Sequence, residues 1–500
     1  MRVLVSESAV RTSLSGSRTA AGPRVGSERP TRGETMTAEV LVVGAGPTGM
    51  TMANELQLAG VSCVLADRLP RAGELSKAGG LQSRTQEALD QCGLLEPLLA
   101  TGDYPVTTAH FAGNLLPLVR DRHRFPWRSL PQVALEGFLE KHLAAQGVPV
   151  RRNHELVGLE QDAEGVTATF ANGVVVRAQY LVAADGGRST VRKLLGAEFA
   201  GRPGTATTVA ADVRLSAEVP MHTITPEGYR AQVFPLGADS EGRPLRRLTF
   251  GGPGWSRERD VPVTEDEIRA GLKTVFGDRV ELVELRYARR ITNAALQAVR
   301  YRHGRVFLAG DAAHVHLPLG AQGMNTGIQD ALNLGWKLAA AVRGTAPEGL
   351  LDSYHAERHP VGAAVLRNVQ AQTLLLDDGP DAAAARSLFA DLVRLPEVQY
   401  FLDDLLSGMG FRYAVPGSED HPLVGLPASG LGPGLRAGRG VLVDPERQLG
   451  ALAARWADRV DRVETGTEPM LVRPDGYVAW AGDPDGAEPA IRRWFGAPVG

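Results

Sequence analysis

The chain has 500 residues, of which 43% are hydrophobic and 22% are charged, and its formal net charge is −3. This length exceeds one compact core and indicates two or three domains of an ordinary globular protein. The near-neutral charge gives no electrostatic reason to expect nucleic acid or a membrane surface as a partner, so both are excluded from the prediction.

Residues 1–35 have the composition of a tail, rich in Arg and Ser, with Val3-Leu4-Val5 as the longest apolar run. A secretory signal needs an apolar stretch of about 7–15 residues, which this segment lacks. We expect a disordered extension, or an upstream start codon with Met36 as the true beginning. No stretch approaches the roughly 20 apolar residues of a membrane span, so a cytoplasmic location is predicted.

The first nucleotide-binding pattern follows the apolar run at residues 40–43, which is typical of a strand buried in a parallel sheet. Gly44-Ala45-Gly46-Pro47-Thr48-Gly49 comes next, and a helical pattern then ends at Gly60. Gly44 permits a tight turn, Gly46 lets the backbone approach a pyrophosphate, and Gly49 lets helix and strand pack closely. Asp67, which ends the next strand, is placed to accept hydrogen bonds from a ribose.

Two more apolar runs end in an aspartate. Residues 180–184 lead into Asp185-Gly186-Gly187-Arg188-Ser189-Thr190-Val191-Arg192, and residues 305–309 lead into Gly310-Asp311. In an open α/β sheet this position is the ligand-binding edge, although an aspartate there can also simply cap the following turn.

The segment Pro318-Leu319-Gly320-Ala321-Gln322-Gly323-Met324-Asn325 is too rich in glycine to be an ordinary solvated connection. It opens an amphipathic helical pattern that ends at Gly344. The N-terminus of such a helix stabilises negative charge on a ligand.

These segments together resemble the group A flavoprotein monooxygenases of the para-hydroxybenzoate hydroxylase fold. Three fingerprints of that family, GxGxxG, DGxxSxxR and GD, occur in order at Gly44–Gly49, Asp185–Arg192 and Gly310–Asp311. The likeness runs from about Met36 to the C-terminus and is closest to the anthracycline and angucycline polyketide hydroxylases and to rifampicin monooxygenase. It rests also on residues 304–314 and 333–339.

The resemblance implies FAD as cofactor, with NADPH or NADH as a transient electron donor. It implies that Asp67 binds the adenosine ribose, Gln132 the ribityl or pyrophosphate part, and Asp311 the ribityl chain. Asp185 and Arg192 would serve the region shared by FAD and NADPH. Gly323, Met324 and Asn325 would lie at the flavin ring.

Further residues join the predicted cofactor site by position, namely Pro47, Arg68, Pro318 and Gly320. Lys77 lies near the place where many family members have an arginine on the mobile-flavin loop. Arg84 is expected to share the role of that arginine in the NADPH-linked movement of the flavin. Asp67 stands where the family more often has glutamate.

The predicted fold class is α/β with three parts. The FAD-binding domain is Rossmann-type and discontinuous, at 36–203 and 291–381. Residues 204–290 alternate in short runs, which indicates a β-rich substrate domain. Residues 382–500 are expected to form a thioredoxin-like domain, in which residues 471–480 make a hairpin turning at Pro474-Asp475-Gly476.

Cysteine and histidine patterns give no metal or redox site. The two cysteines, Cys63 and Cys92, form no CxxC pair, so the third domain cannot carry out dithiol chemistry. His314 and His316 lack a third ligand cluster, and we interpret them as loop histidines with ordinary partners. The glycine-rich residues 430–440 are predicted to be a loop.

The resemblance implies a monooxygenase that hydroxylates a polycyclic aromatic, polyketide-type substrate through a flavin C4a-hydroperoxide. Three alternatives stay open: a Baeyer–Villiger reaction, inactivation of an antibiotic of the rifamycin or tetracycline kind, and a non-catalytic nucleotide-binding scaffold. A halogenase is disfavoured because the WxWxIP sequence is absent. The expected partner is the small aromatic substrate, and the expected assembly is a monomer or homodimer.

Overall fold

The computed structural model describes residues 35–73, 78–107, 109–112, 114–115, 122–238, 242–377, 379–416, 421–435, 438–466 and 468–498. The predicted tail up to residue 34 and the predicted cofactor residue Lys77 lie outside them.

The central sheet has seven strands, and its core is four parallel strands. In spatial order these are Val306–Leu308, Val175–Ala183, Thr35–Val43 and Cys63–Ala66. Their apolar runs are buried on both faces, as parallel strands covered by helices require. Antiparallel strands extend the sheet at Arg302–His303, Val166–Phe170 and Leu156–Gln161.

Helices cover this sheet and enclose one apolar core. Pro47–Leu58 packs against the long helix Gln322–Val342 and against Gln132–Ala145. Shorter helices and the second long helix complete the layers: Ser83–Gln91, Leu95–Leu99, Thr190–Leu194 and Asp352–Leu375. In the part of the chain described, none of the helices has both the length and the apolar composition that crossing a bilayer requires.

An antiparallel five-stranded sheet stands on the carboxyl side of the central sheet. Its order is His222–Ile224, Arg230–Ala238, Pro244–Gly251, Thr207–Leu215 and Leu282–Thr292. One face packs against helix Glu265–Phe276, which begins where the Thr264 side chain accepts a hydrogen bond from the Glu267 N–H. A small sheet of Phe199–Arg202, Ala295–Ala298 and His314–Val315 joins the two larger ones.

Two two-stranded ribbons lie between these sheets. Gly80–Leu81 pairs with Arg128–Ser129, and His110–Phe111 pairs with Asn114–Leu115.

The C-terminal region begins with helices Pro380–Leu392 and Pro396–Ser407. A four-stranded sheet follows, in the order Val460–Val463, Gly440–Val443, Met470–Val472 and Val478–Ala481, with helices Gly450–Ala454 and Ala487–Phe495. A parallel strand–helix–strand followed by a hairpin and a helix is the arrangement of a thioredoxin-like fold. The loop prediction for 430–440 was wrong at Gly432–Leu435, which forms one helical turn before the strand at Gly440.

Candidate active site

The predicted motifs meet at one edge of the central sheet. The four parallel strands end at Val43, Ala66, Ala183 and Leu308. Because parallel strands end on the same side, the GxGxxG turn, Asp67, Asp185 and the Gly310-Asp311 turn all lie along this carboxyl edge.

The glycine turn is shaped by close backbone contacts. Gly44 has a φ of 105°, and a Cβ there would lie 2.3 Å from the Ala184 carbonyl oxygen. A Cβ at Gly49 would lie 1.9 Å from the Gly44 carbonyl oxygen. At Gly46, in contrast, a Cβ would meet no atom of the described residues within 4 Å, so this part of the chain leaves the space beside the turn open. Pro47 occupies the first helical position, which needs no N–H donor.

Asp67 supports this turn directly. Its Oδ2 accepts a hydrogen bond of 2.8 Å from the Ala45 N–H, and its Oδ1 accepts one of 2.8 Å from the Leu69 N–H. An ionised carboxylate has further lone pairs, so these bonds leave capacity for a ribose hydroxyl. Arg68 is exposed beside it.

The DG motif joins the other two motifs. Asp185 Oδ2 accepts hydrogen bonds from the Thr190 and Val191 N–H groups, which begin the helix Thr190–Leu194. The Arg192 guanidinium donates to the carbonyl oxygens of Gly187 and Ala312, at 2.9 Å each. Arg192 thereby ties the DG segment to the GD segment, and its role toward NADPH stays a prediction.

A buried charge network fixes the GD motif. Asp330 accepts hydrogen bonds from the Gly310 N–H at 3.0 Å and from the Arg358 Nε at 2.7 Å, and its Oδ2 lies 2.8 Å from His314 Nε2. Burial alone would raise the pKa of Asp330, but the charges of Arg358 and His314 lower it by more. The pKa of Asp330 therefore lies below its ordinary value. His314 therefore has an ordinary partner, as predicted, but it lies in the strand His314–Val315, so the prediction of a loop histidine was wrong at this position.

Residues 318–325 lie at the start of the long helix. Pro318 is exposed, Gly320 has a φ of 68°, and Met324 packs against the main core. Asn325 is fully buried, and its Oδ1 accepts from the Gln82 N–H while its Nδ2 donates to the Gly80 carbonyl. A Cβ at Gly323 would lie 3.5 Å from the His316 Nε2 and 3.9 Å from Asp311 Oδ1, so this turn faces both side chains.

The GxGxxG turn, the GD turn and the long helix touch each other at Thr48. A Cβ at Gly310 would lie 2.6 Å from Thr48 Oγ1. A Cβ at Gly327, one turn into the long helix, would lie 2.3 Å from the same atom and 3.1 Å from the Gly310 Cα. Glycine at both positions lets the two helices and the GD turn approach closely.

Two predicted cofactor residues have other contacts in this structure. Gln132 is buried at the start of its helix, where its Nε2 donates to Glu136 at 2.7 Å. Arg84 is 1% exposed, donates to the Asp475 carbonyl oxygen, and lies over the Tyr477 ring at 5.1 Å. The sequence reasoning missed this engagement of Arg84 with the C-terminal unit, because nothing local to residue 84 marks it.

The carboxyl edge fits FAD by its unsatisfied groups. Within the described residues, Asp185 Oδ1 and His316 Nε2 are buried without a hydrogen-bond partner, and no atom occupies the space next to Gly46. The helices beginning at Pro47 and Gln322 both start without a side-chain cap, which leaves first-turn N–H groups to bind phosphate or a polar ring edge. These residues could hold the pyrophosphate, the ribityl chain and the ring of one dinucleotide.

A buried network that no motif predicted attaches the C-terminal unit. We name the segment Arg473-Pro474-Asp475-Gly476 the docking turn. Arg473 is 1% exposed and pairs with Glu357 at 2.5 Å and with Asp475 at 2.5 Å. Lys337 of the long helix donates to Glu357 at 2.8 Å. Burial raises the pKa of Glu357, but the charges of Arg473 and Lys337 lower it more, to about 2.

Two family models match the chain. The first, described as an FAD binding domain, covers residues 37–369, and the second, described as the C-terminal part of aromatic-ring hydroxylases, covers residues 428–498. The match ranges include all three fingerprints and the docking turn.

Relatives match over nearly their whole length. The chain is 41% identical over 475 residues to a rifampicin monooxygenase from Streptomyces venezuelae, covering 92% of this chain and 99% of that one. The solved anhydrotetracycline hydroxylase from Streptomyces rimosus is 39% identical, with a TM-score of 0.84 over 93% of this chain and 100% of that one. A solved aromatic hydroxylase from angucycline biosynthesis is 36% identical, with a TM-score of 0.82 over 92% and 100%.

Proposed function

Since this chain belongs to the FAD binding domain family and is an FAD-dependent monooxygenase, we propose that it hydroxylates a polycyclic aromatic substrate of the polyketide type. The observation that carries the proposal is the meeting of three flavin fingerprints at one edge of the central sheet. The names of the relatives support the substrate class, because rifampicin and anhydrotetracycline both contain fused rings with phenolic oxygens.

Bound FAD, reduced by NAD(P)H, would supply the activation of O2. The chain's own part is to bind and orient. The open turn at Gly46 and the N-terminus of helix Pro47–Leu58 would hold the pyrophosphate. The N-terminus of Gln322–Val342 places a positive dipole end beside Asp311 and His316, at the end of the edge where the ring is expected.

The antiparallel sheet would position the substrate and exclude water. Its inner face carries Arg289, which lies close enough to Asp311 for their charges to interact. This interaction supports an inner face that lies toward the carboxyl edge. A substrate ring held between them would be shielded from solvent, which protects a reactive oxygen donor from side reactions.

The test follows NADPH oxidation by the purified yellow protein in a stopped-flow instrument, with anhydrotetracycline, rifampicin and simpler polycyclic phenols. We expect one compound to accelerate flavin reduction and to gain one oxygen atom from 18O2, and mass spectrometry gives its position. Oxygen inserted next to a ketone indicates the Baeyer–Villiger alternative. Bound FAD that no donor reduces contradicts the proposal and favours the scaffold alternative.

A biosynthetic and an antibiotic-inactivating role differ in substrate alone, and the same panel separates them by which compound reacts. The monomeric or homodimeric assembly and the cytoplasmic location stay predictions from the sequence.

A further inference from the structure

One face of the antiparallel sheet is apolar and the other is polar. Val233, Leu248 and Phe250 pack under helix Glu265–Phe276 on the apolar face. Because side chains alternate along a strand, Phe234 and Arg247, which are opposite each other in the register, lie on the other face. This second face looks toward the carboxyl edge, as the approach of Arg289 to Asp311 indicates.

Three rings cluster at the outer end of that polar face. His222 lies on the outermost strand, with its ring centroid 5.6 Å from Phe234 and 5.4 Å from His110. His110 comes from the two-stranded ribbon and stacks on Phe234 at 5.1 Å. We name these three residues the histidine patch.

The histidine patch lies beside the expected flavin ring. The strand His110–Phe111 contacts the turn Leu319–Ala321, which leads directly into the long helix. On the same side, a Cβ at Gly79 would lie 3.4 Å from the Leu236 side chain, so the outer strands also reach the segment that holds Asn325. The histidine patch therefore lies between the antiparallel sheet and the first turn of helix Gln322–Val342.

Three imidazole nitrogens of the patch are buried without a hydrogen-bond partner in the described part of the chain. Among the described residues, nothing bonds Nδ1 of His110 or either nitrogen of His222. Burying an unpaired polar group costs free energy, and native structures usually satisfy such groups with a ligand or water. Burial lowers the pKa of His222, and burial together with the charge of His222 lowers that of His110 to about 4. At neutral pH both rings are neutral, each with one donor and one acceptor nitrogen.

We propose that His110 and His222 bind oxygen substituents of the aromatic substrate and thereby select it, while Phe234 packs beside its carbon rings. A phenol donates to the acceptor nitrogen of a neutral imidazole, so two neighbouring phenol oxygens complement the two rings. The assignment rests on the proposed function for the substrate class. The two histidines are specificity residues and carry no step of the oxygen transfer.

The experiment measures binding to the oxidised holoprotein, not turnover. The probes are 1,8-dihydroxyanthraquinone and its dimethyl ether, each titrated while the flavin absorbance is recorded. His222→Phe keeps an aromatic ring and removes both nitrogens, and we expect it to raise the Kd of the dihydroxy probe about tenfold, the size of one lost hydrogen bond. The Kd of the ether should change less than about twofold.

Two further variants keep the result interpretable. His110→Phe applies the same test to the second histidine of the patch, which lies in the two-stranded ribbon. It replaces His222→Phe if that variant does not fold. His142→Phe is the control, because His142 stacks on Phe138 in helix Gln132–Ala145, away from the patch. We expect wild-type Kd values for both probes in the control.

The outcomes separate the histidine assignment from the proposed function. Equal effects on both probes, no effect on either, or a wild-type protein that binds neither probe would overturn the assignment. Weaker binding of the dihydroxy probe alone in the variants would support the assignment. If the wild-type protein at the same time inserts no oxygen into any compound, the monooxygenation proposal would be contradicted.

Discussion

The docking turn and the histidine patch both bury polar side chains, but only the docking turn pairs its charges. Arg473, Glu357, Lys337 and Asp475 each have a partner within 3 Å. In the histidine patch, three ring nitrogens have none among the described residues. Since an unpaired buried group costs free energy that a paired one recovers, the docking turn suits a structural role and the histidine patch suits the ligand-binding role proposed above.

The docking turn also connects the C-terminal unit to the cofactor edge. Tyr477, next to the turn, stacks on Tyr413 with ring centroids 3.9 Å apart. Arg358 donates to the Tyr413 hydroxyl at 3.0 Å and to Asp330, which holds the Gly310 N–H. A continuous buried path therefore runs from the C-terminal unit to the GD motif.

The largest effect is expected where a paired charge loses its partner. Arg473→Met leaves Glu357 and Asp475 buried with less compensation, and we expect it to lower the free energy of unfolding of the holoprotein by about 3–5 kcal/mol. Urea denaturation measures this. Arg455→Met is the matched control, because its pair with Glu488 lies on the surface, where solvent screens the attraction and the loss of stability should be small. Equal losses in the two variants would contradict the structural role of the docking turn.

A pH-dependent effect is expected in the histidine patch. The pKa of His110 is about 4 in the folded protein, below the ordinary value of 6.5, so the unfolded chain binds more protons between these values. Stability should therefore fall as the pH is lowered from 6.5 to 4, by about 2–3 kcal/mol from this residue alone. His110→Phe should remove that part of the slope in unfolding curves recorded across this range. An unchanged slope would mean that His110 is not buried as a neutral ring.

The smallest effect is expected for His222→Phe without substrate. Because no described residue hydrogen-bonds the ring nitrogens of His222, their loss should change the free energy of unfolding by less than about 1 kcal/mol, measured by urea denaturation at pH 7.5. Arg473→Met, measured in the same experiment, provides the large loss of unfolding free energy with which this small change is compared. A loss as large as that of Arg473→Met would show that His222 has structural partners and would remove the distinction between the two regions.

The cofactor edge could be predicted from the sequence because its signals are local. Each fingerprint is a short strand followed by a turn, so Gly44, Asp185 and Asp311 could be placed at one sheet edge from chain order alone. The hairpin at Pro474-Asp475-Gly476 was predicted for the same reason and is confirmed by the pairing of its strands.

The partners of these local elements could not be predicted. Glu357 and Arg473 are far apart in the chain and meet only through tertiary packing, and the same holds for His110 and His222. Their identity depends on sheet register and on which face each strand presents, which composition and spacing do not encode. Arg84 illustrates the difference, because its sequence position indicated the cofactor and its contacts are with the docking turn.

The most direct test of the account is the FAD affinity of Gly327→Ala, measured by flavin fluorescence on reconstitution of the apoprotein. The new Cβ would lie 2.3 Å from Thr48 Oγ1 and push apart the contact that joins the GxGxxG turn, the GD turn and the long helix. The control is Gly137→Ala in helix Gln132–Ala145, where a Cβ would meet no atom of the described residues within 4 Å. We predict one FAD per chain with wild-type affinity for the control, and at least about tenfold weaker binding for Gly327→Ala. Wild-type affinity in a folded Gly327→Ala protein would contradict the claim that these three segments form one FAD site.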